Sequence, residues 1–580
     1  MKRIGRLALA ALLAAASGAA AAEPAAVPFA AAVEQDGRWG VVDAAGRAVV
    51  PLMYDAADTT LVEKEKRGAD LAMPGRDRLI EVEQNGKYGM YDRTGQTIIP
   101  VSYESRTPWA DGVTAVQIRK GELGFYREDG LRIASPVYEA VSDMRGGWAV
   151  VKKDGRYGYV SRDGARIDPV YDEAHYFSDG YAPVKQKKWG VIDESGALVV
   201  PCQYDDAGPS VSDGLLAVRK DNHWGFIDMT GAEKVPLIYK DVHPLFAEHL
   251  TAVENDDKLW GFIDSAGRVT AEPVFSAVIT PFSEGLAGVV TKDGKAYARP
   301  DGSIAFHADY DRIYAFDNGL AEYLEGEAVY ARSRSPISIG IGIGIGWGHR
   351  HRHHPWGWGV GWPVWGPWWY DDWYSGPSRV IDVKRGYMDH TGRLVAPADL
   401  SRVYPAMEKG ILVFNRNRFG LLDRTGQYVI HTEYRALTPV PSEDYLLARN
   451  EDKDWGVLSF TGETLVPFAW DALTPLGGGF LAGKKDGKWA LLRKDGALLT
   501  EPVYKEIRAY GDGLFPANLR GAWLYLDETG KEALSFPDKA QDALPFSHGF
   551  GAVKVDGKWG VIDRNGAFTA PPVYSALKIL

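Results

Sequence analysis

Short runs of mainly hydrophobic residues recur along almost the whole chain, separated by glycine-containing turns. A run such as residues 215–219 precedes a turn, and a run of the form Trp-Gly-Val-Ile-Asp, as at 189–193, follows a turn. The turns between them are often Asp-Gly or Asn-Gly, which favour tight hairpins because both residues tolerate positive φ. In strand geometry the Trp, Val and Asp share one face, and the Gly and Ile share the other.

A second turn and a third strand complete each unit. The second turn has Asp first and Gly fourth, as at Asp193 and Gly196, which suits a type I turn. The third strand leads to a proline and an aromatic residue, as at Pro201 and Tyr204. Helical periodicity is almost absent, so the pattern predicts an all-β protein with about three short strands per unit.

The same unit recurs in 14 recognisable copies, mostly 32 to 36 residues apart. One unit cannot bury its aromatic residues alone, whereas stacked neighbours can. We therefore expect the repeat aromatic to fill the space between units and the glycine after it to leave room for the ring. The alternative is a row of exposed aromatics that stack on sugars. The copies centre on Trp39, Tyr88, Leu123, Tyr157, Trp189, Trp224, Trp260, Ala296, Arg385, Phe419, Trp455, Trp489, Trp523 and Trp559.

The string Lys/Arg-Trp-Gly-Val-Ile-Asp, with Gly three residues after the Asp and Pro-x-x-Tyr downstream, resembles the WG-repeat (KWG) family of bacterial proteins. The resemblance covers residues 35–55 and most of 80–574, and the copies at Ala296 and Arg385 depart from it. It implies a β-repeat array that serves in interaction, and it supplies no catalytic residues. We expect an open, curved, β-solenoid-like array of about 14 three-stranded repeats, with closed β-propellers as the alternative.

The amino terminus has the pattern of a secretory signal peptide over residues 1–22. Lys2, Arg3 and Arg6 precede a short apolar run, and small residues end at Ala22 before Glu23. The apolar run is too short to span a bilayer, and no later stretch resembles a membrane span. The sequence therefore predicts a periplasmic or secreted protein with no transmembrane segment after cleavage.

Composition and charge exclude several functions. The net charge of -11 argues against general nucleic-acid binding, and the single cysteine, Cys202, excludes a disulfide framework and a cysteine zinc site. Phosphate-loop, HExxH and Gly-x-Ser-x-Gly motifs are absent from the sequence. The carboxylates recur at turn positions in each copy, whereas a catalytic pair would be unique to one site. We therefore expect a protein that is not an enzyme.

An unusual segment, residues 336–378, separates the repeat regions 23–335 and 379–580. Isoleucine alternates with Ser or Gly in its first part, and Trp alternates with Gly in its second part. Three interpretations stay open: a transition-metal site at the histidines, a Trp- and Arg-rich surface for a partner, or a low-complexity insertion without a selected role. The candidate metal ligands are His349, His351, His353 and His354. The candidate interaction residues are Trp356, Trp358, Trp362, Trp365, Trp368 and Trp369.

These observations favour a non-catalytic secreted or periplasmic scaffold whose partner is a protein or a cell-envelope polymer. The alternatives are a carbohydrate- or peptidoglycan-binding protein that uses exposed aromatics, and metal binding through the histidine-rich insertion. No cofactor is predicted apart from that possible metal.

Overall fold

A computed structural model describes residues 29–58, 79–326, 384–440, 442–536 and 539–580. The proposed signal peptide and the segment 336–378 lie outside these ranges. The described residues contain only β-strands as regular elements, so the all-β prediction is confirmed. None of the described segments is a helix long and apolar enough to cross a bilayer.

The strands of the first half follow one another at short intervals. They are β1 (Ala31–Gln35), β2 (Arg38–Val42), β3 (Ala48–Tyr54), β4 (Ala56–Asp58), β5 (Leu79–Gln84), β6 (Lys87–Asp92), β7 (Thr97–Tyr103), β8 (Ser105–Arg106), β9 (Val113–Arg119), β10 (Glu122–Arg127), β11 (Arg132–Tyr138), β12 (Ala140–Val141), β13 (Trp148–Lys153), β14 (Arg156–Ser161), β15 (Arg166–Tyr171), β16 (Glu173–Ala174), β17 (Tyr181–Gln186), β18 (Lys188–Asp193), β19 (Leu198–Tyr204), β20 (Asp206–Ala207), β21 (Leu215–Lys220), β22 (His223–Asp228), β23 (Glu233–Tyr239), β24 (Asp241–Val242), β25 (Leu250–Glu254), β26 (Trp260–Asp264), β27 (Val269–Phe275), β28 (Ala277–Val278), β29 (Ala287–Thr291), β30 (Gly294–Ala298) and β31 (Ile304–His307).

The strands of the second half continue the same order. They are β32 (Arg312–Asp317), β33 (Leu320–Glu325), β34 (Lys384–Met388), β35 (Leu394–Ala396), β36 (Arg402–Met407), β37 (Gly410–Asn415), β38 (Arg418–Leu422), β39 (Tyr428–Tyr434), β40 (Ala436–Val440), β41 (Tyr445–Arg449), β42 (Trp455–Leu458), β43 (Thr464–Trp470), β44 (Ala472–Gly477), β45 (Phe480–Lys485), β46 (Lys488–Arg493), β47 (Glu506–Ile507), β48 (Leu514–Leu519), β49 (Ala522–Asp527), β50 (Glu532–Leu534), β51 (Asp542–Ser547), β52 (Phe550–Val555), β53 (Lys558–Ile562), β54 (Phe568–Tyr574) and β55 (Ala576–Ile579).

These strands form 14 small antiparallel sheets, which we number in chain order. Sheet 1 contains β55, β1, β2 and β3, and sheet 2 contains β4 to β7. Every later sheet takes the next four strands in order, except sheet 12, which has the three strands β44 to β46. The 14 predicted repeats thus correspond to 14 sheets.

The last strand of the chain closes the sheets into a propeller-like ring. β55 pairs with β1 in sheet 1, with Ala31 opposite Ile579 and Glu34 opposite Ala576. Sheet 14 also packs on sheet 1, because Val561 of sheet 14 belongs to one buried cluster with Val33 and Leu577 of sheet 1. Of the two predicted arrangements, the structure therefore has the closed one rather than the open array.

Each sheet packs against a neighbour on both of its faces. In β21, Leu216 and Val218 pack toward Trp189 of sheet 5, whereas Leu215 and Ala217 pack toward sheet 7. A strand buried on both faces needs apolar residues at successive positions, which explains why the second strands are apolar runs rather than alternating ones.

Each sheet except sheet 12 contains one strand more than the sequence pattern predicts. After the fourth strand a single linker residue, such as Asp205 after Tyr204, leads directly into a short first strand of the next sheet, here β20. A strand of two residues has no readable hydrophobic period, so the sequence pattern could not show it.

The turns follow the prediction. Asp36 and Gly37 have φ values of 52° and 76°, as an Asp-Gly hairpin requires. At the second turn the Gly196 N–H donates to the Asp193 carbonyl at 2.9 Å, and an Asp193 carboxylate oxygen accepts the N–H groups of Ser195 and Ala197. The repeated aspartate therefore caps the turn.

The repeat glycine lies against the backbone of its own sheet. A Cβ on Gly190 would lie 2.6 Å from the Val200 carbonyl oxygen, 2.8 Å from the Cys202 nitrogen and 2.9 Å from the Cys202 sulfur. The fourth strand bulges across this glycine, since the pairing register shifts between Trp189 and Val191. The glycine therefore makes room for the bulged backbone of its own sheet.

The two degenerate copies lie within an unbroken ring. Sheet 8 and sheet 9 each have four strands, so the ring is continuous on both sides of the insertion. In sheet 8 the position of the repeat aromatic is occupied by Lys295, not by Ala296. Lys295 lies opposite Val290 of the second strand. In sheet 9 that position belongs to Arg385, opposite Leu324.

Candidate interaction surface

The repeat tryptophans are packed inside the ring. Trp189 is 1% exposed, Trp260 9%, Trp523 5% and Trp559 8%. The other four of these tryptophans are half-buried. They are Trp39, Trp224, Trp455 and Trp489. This placement fits the expected packing role and does not form a row of exposed rings for sugars.

A cation from a neighbouring strand covers many of these rings. Lys185 lies directly opposite Trp189 across the hairpin, with its ammonium 5.6 Å from the ring centre. Such a cation–π contact stabilises the packed tryptophan and holds the cation over its ring. The same arrangement occurs for Lys152 with Tyr157, Arg219 with Trp224, Arg449 with Trp455 and Lys484 with Trp489.

The ring has two chemically different ends. We call the end that carries the tips between second and third strands the hairpin end, and the end that carries the turns between third and fourth strands the turn end. Equivalent loops of successive sheets bond to one another at the turn end. Glu248 accepts the N–H groups of Glu284 and Gly285, and Asp512 accepts the Gly549 N–H at 2.7 Å.

Carboxylates at the turn end serve as hydrogen-bond acceptors for the fold. The Ser195 hydroxyl and nearby backbone N–H groups donate to Asp193 and lower the pKa of its carboxyl. The same bonding lowers the pKa values of the equivalent aspartates in other sheets. These are Asp228, Asp264, Asp389, Asp423, Asp527 and Asp563. The charges are therefore fixed in place as turn caps.

At the hairpin end of sheets 1, 2, 4 and 5, the cation before the repeat aromatic forms an ion pair with the linker residue that follows the same sheet. Lys87 pairs with Glu104 at 2.7 Å, and Lys188 pairs with Asp205. Arg38 with Asp55 and Arg156 with Asp172 repeat this pairing. We did not predict this rule, although its signal is present in the sequence as an acidic residue directly after the repeat Tyr, 16 or 17 residues beyond the cation.

An open cleft lies between sheets 13 and 14 at the turn end. Its volume is about 730 Å³, and its lining includes Tyr510, Asp512, Glu528 and Arg564. These groups bond mainly to one another and to the backbone: Tyr510 donates to Glu528, and Arg564 donates to the Asp512 carbonyl at 2.9 Å. The cleft thus presents groups already committed to the fold.

The long insertion is rooted at the hairpin end of sheet 9. Strands β33 and β34 pair up to the last described residues, with Glu325 opposite Lys384. The Gly326 N–H donates to Asp311 at 2.7 Å, and Arg385 pairs with Glu322 at 2.9 Å. The described part of sheet 9 therefore ends at Gly326 and resumes at Lys384, both at the hairpin end.

The predicted site residues of this insertion all lie outside the described residues. This holds for the candidate ligands His349, His351, His353 and His354. It holds also for Trp356, Trp358, Trp362, Trp365, Trp368 and Trp369. Within the described ranges, no group of three or more His, Cys, Asp or Glu side chains is arranged to hold a metal ion. Cys202 is half-buried, and burial raises the pKa of its thiol.

Two histidines are packed against repeat tryptophans. The His175 ring stacks on Trp189 at 4.6 Å, and the His243 ring lies 5.0 Å from Trp260. Burial lowers the pKa of both imidazoles from 6.5 to about 4, and Lys185 adds to the effect at His175. Both rings are therefore neutral at neutral pH.

This packing predicts a loss of stability in acid. Between pH 6.5 and 4 the unfolded chain binds protons at these histidines while the folded chain does not, so stability falls by up to about 3 kcal/mol per histidine. The difference between the unfolding free energies at pH 7 and pH 4.5 should shrink in a variant with His175→Gln and His243→Gln. The exposed His548→Gln is the control. An equal pH dependence in all three proteins would contradict the prediction.

Comparisons with known proteins agree with the repeat pattern. The family model described as "WG containing repeat" matches residues 88–120, 124–157, 158–188, 189–223, 224–258, 260–295, 297–327 and 525–559. Among curated proteins no sequence matches the chain.

Solved structures are similar only at low sequence identity. A eukaryotic initiation factor is 10% identical with a TM-score of 0.24, covering 75% of this chain and 95% of its own. Hsv2p of Kluyveromyces lactis is 11% identical with a TM-score of 0.23, covering 38% and 92%. BamB of Moraxella catarrhalis is 11% identical with a TM-score of 0.18, covering 61% and 92%.

Proposed function

Because this chain belongs to the WG-repeat family, we propose that it is a non-catalytic scaffold of the cell envelope, periplasmic or secreted, which binds a protein or an envelope polymer. The observation that carries the proposal is the root of the insertion. A complete four-stranded sheet holds both ends of residues 327–383 at the hairpin end of a closed ring. Such a frame suits the display of a binding segment.

The role of the carboxylates supports a non-catalytic function. Catalysis by paired carboxylates needs two groups whose environments drive their pKa values apart at one site. Here the turn aspartates share one environment and one role from sheet to sheet, since each accepts hydrogen bonds from its own turn. A non-catalytic function depends on binding surfaces. The insertion is the longest segment that departs from the repeat sequence, so it is the first candidate for such a surface.

The carbohydrate alternative needs aromatic faces open to a sugar ring. The repeat tryptophans do not offer such faces, because Trp189, Trp260, Trp523 and Trp559 are buried and the others are half-buried. A sugar-binding role would therefore have to use the tryptophans of the insertion. Sugar binding by the repeat tryptophans and sugar binding by the insertion can therefore be distinguished by substituting one set of tryptophans at a time.

The experiment replaces residues 326–383 with an Asp-Gly pair between Glu325 and Lys384, which imitates the tip of Asp486 and Gly487 between Lys485 and Lys488. We expect the unfolding temperature to change by less than about 2 °C, because β33 and β34 keep their pairing. We expect the shortened protein to capture no partner from an envelope extract that the full chain captures from. Equal capture by the shortened protein would contradict the proposal.

Two variants of the full chain assign the binding chemistry. One changes the six candidate tryptophans to Ser, and the other changes the four candidate histidines to Ala. Loss of capture in the first variant indicates an aromatic surface for the partner. Loss of capture in the second, together with loss of Ni²⁺ or Zn²⁺ binding, indicates metal-dependent capture.

A further inference from the structure

Sheets 12 to 14 lack the ion pair that sheets 1, 2, 4 and 5 form at the hairpin end. Where Asp205 follows sheet 5 and pairs with Lys188, the linker residue after sheet 12 is Lys505 and the one after sheet 14 is Ser575. The cations before the repeat aromatic remain in two of these sheets, as Lys488 and Lys558. They therefore lack the acidic linker partner that sheets 1, 2, 4 and 5 supply.

Five exposed cations gather at this place. We call them the basic arc, and they are Lys485, Lys488, Lys505, Arg520 and Lys558. Within the described part of the chain none of them forms an ion pair. Three exposed carboxylates lie beside the arc: Asp486 and Asp556 occupy the first turn position in two of the three tips, and Asp471 accepts the Asp486 N–H at 2.9 Å. The five cations outnumber these three acids.

Several of these positive charges lie close to one another. Lys485 and Lys488 lie directly opposite each other across their hairpin, an arrangement that like charges make unfavourable. The Lys505 ammonium lies 4.0 Å from the point where a Cβ on Gly521 would stand, so it extends to the tip of sheet 13 beside Arg520. Uncompensated repulsion of this kind destabilises the free protein and favours an anionic partner.

The rest of the ring shows which anion satisfies a cation at this position. In sheets 1, 2, 4 and 5 the partner is the carboxylate of the single linker residue between two strands, as with Asp205 and Glu104. Neighbouring sheets pack about 10 Å apart, so three tips extend over about 20 Å, the length of about six extended residues. We propose that the basic arc binds an extended, Asp- and Glu-rich segment of a partner protein.

This inference rests on the proposed scaffold function and adds a second binding surface at the same end of the ring. The arc and the root of the insertion belong to different sheets, 12 to 14 and 9. Replacement of the insertion and substitution of the arc therefore test the two proposals separately.

The binding test uses the full chain and a fluorescein-labelled peptide of alternating Glu and Ser, about twelve residues long, followed by fluorescence anisotropy. The triple variant Lys488→Gln, Lys505→Gln and Lys558→Gln should weaken binding at least about tenfold. The matched control, Lys87→Gln, Arg156→Gln and Lys188→Gln, removes cations that already have partners and should change it less than about twofold. Equal losses in both variants would overturn the inference.

Two further measurements test the chemistry. Lys505→Asp restores the linker acid of the other sheets, so it should abolish peptide binding and raise the unfolding temperature. If Lys505→Asp lowered the unfolding temperature and left peptide binding unchanged, the proposed role of the basic arc would be contradicted. Polyphosphate of similar charge should bind more weakly than the Glu–Ser peptide at equal ionic strength. Tighter polyphosphate binding would assign the arc to a phosphate polymer and would overturn the acidic-segment proposal.

Discussion

Deletion of residues 575–580 is expected to open the ring and to lower its stability by about 5 kcal/mol. The deletion removes β55, whose Leu577 is buried and whose backbone pairs with β1. It also removes the Ser575 N–H that donates to the Glu34 carbonyl at 2.8 Å. Small-angle scattering should show a larger radius of gyration, and thermal unfolding should begin at a lower temperature.

The effect should depend on the strand and not on charge at the seam. Lys578 forms an ion pair with Asp58 at 3.0 Å and lies over the Trp39 ring, but it is not part of the buried cluster. Lys578→Ser in the intact chain should therefore cost less than about 1 kcal/mol and leave the radius of gyration unchanged. A deletion protein as compact and stable as the parent would show that packing between sheets 14 and 1 closes the ring without β55.

Gly190→Ala is expected to destabilise sheet 5 by about 3 kcal/mol, and Gly190→Val by more. The new Cβ would meet the Val200 carbonyl oxygen at 2.6 Å and the Cys202 nitrogen at 2.8 Å. Both atoms belong to a backbone strand that is held by pairing with β18, so neither can move away at low cost. Hydrogen exchange of the β18 and β19 amides and the unfolding temperature measure the effect.

A glycine in the same sheet provides the control. Gly180 has a φ of 79°, and no atom lies within 4 Å of its added Cβ. Gly180→Asn should therefore be tolerated, because asparagine accepts left-handed backbone conformations better than other residues. Equal destabilisation by Gly180→Asn and Gly190→Ala would mean that lost flexibility, not contact with the bulge, explains the glycine.

Local features of the fold could be predicted from the sequence because short-range physics determines them. The Asp-Gly tips, the Asp193 turn cap and the packed position of Trp189 each follow from the residue types within one unit. The bulge at residues 200–204, which brings backbone atoms against Gly190, could not be predicted because it depends on pairing between strands. Periodicity along one strand does not contain that information.

Closure of the ring could not be predicted because it depends on all the sheets together. The strand that closes it, β55, has the sequence of an ordinary first strand, and only its pairing with β1 distinguishes it. The candidate surface was predicted in part. The insertion was recognised by composition, but the basic arc appears only when Lys505 is compared with Asp205 at the same linker position. That comparison requires the ion pairs seen in the other sheets.

Ring closure also makes the starting point of the chain arbitrary. The Leu580 N–H donates to the Ala30 carbonyl at 3.0 Å, so the carboxyl-terminal residue lies beside the first described residues of the ring. A gene circularly permuted to begin at another hairpin tip would encode the same sheets in the same cyclic order. Duplication or loss of whole repeats during evolution could therefore occur at any point of the ring, provided that the remaining sheets still meet.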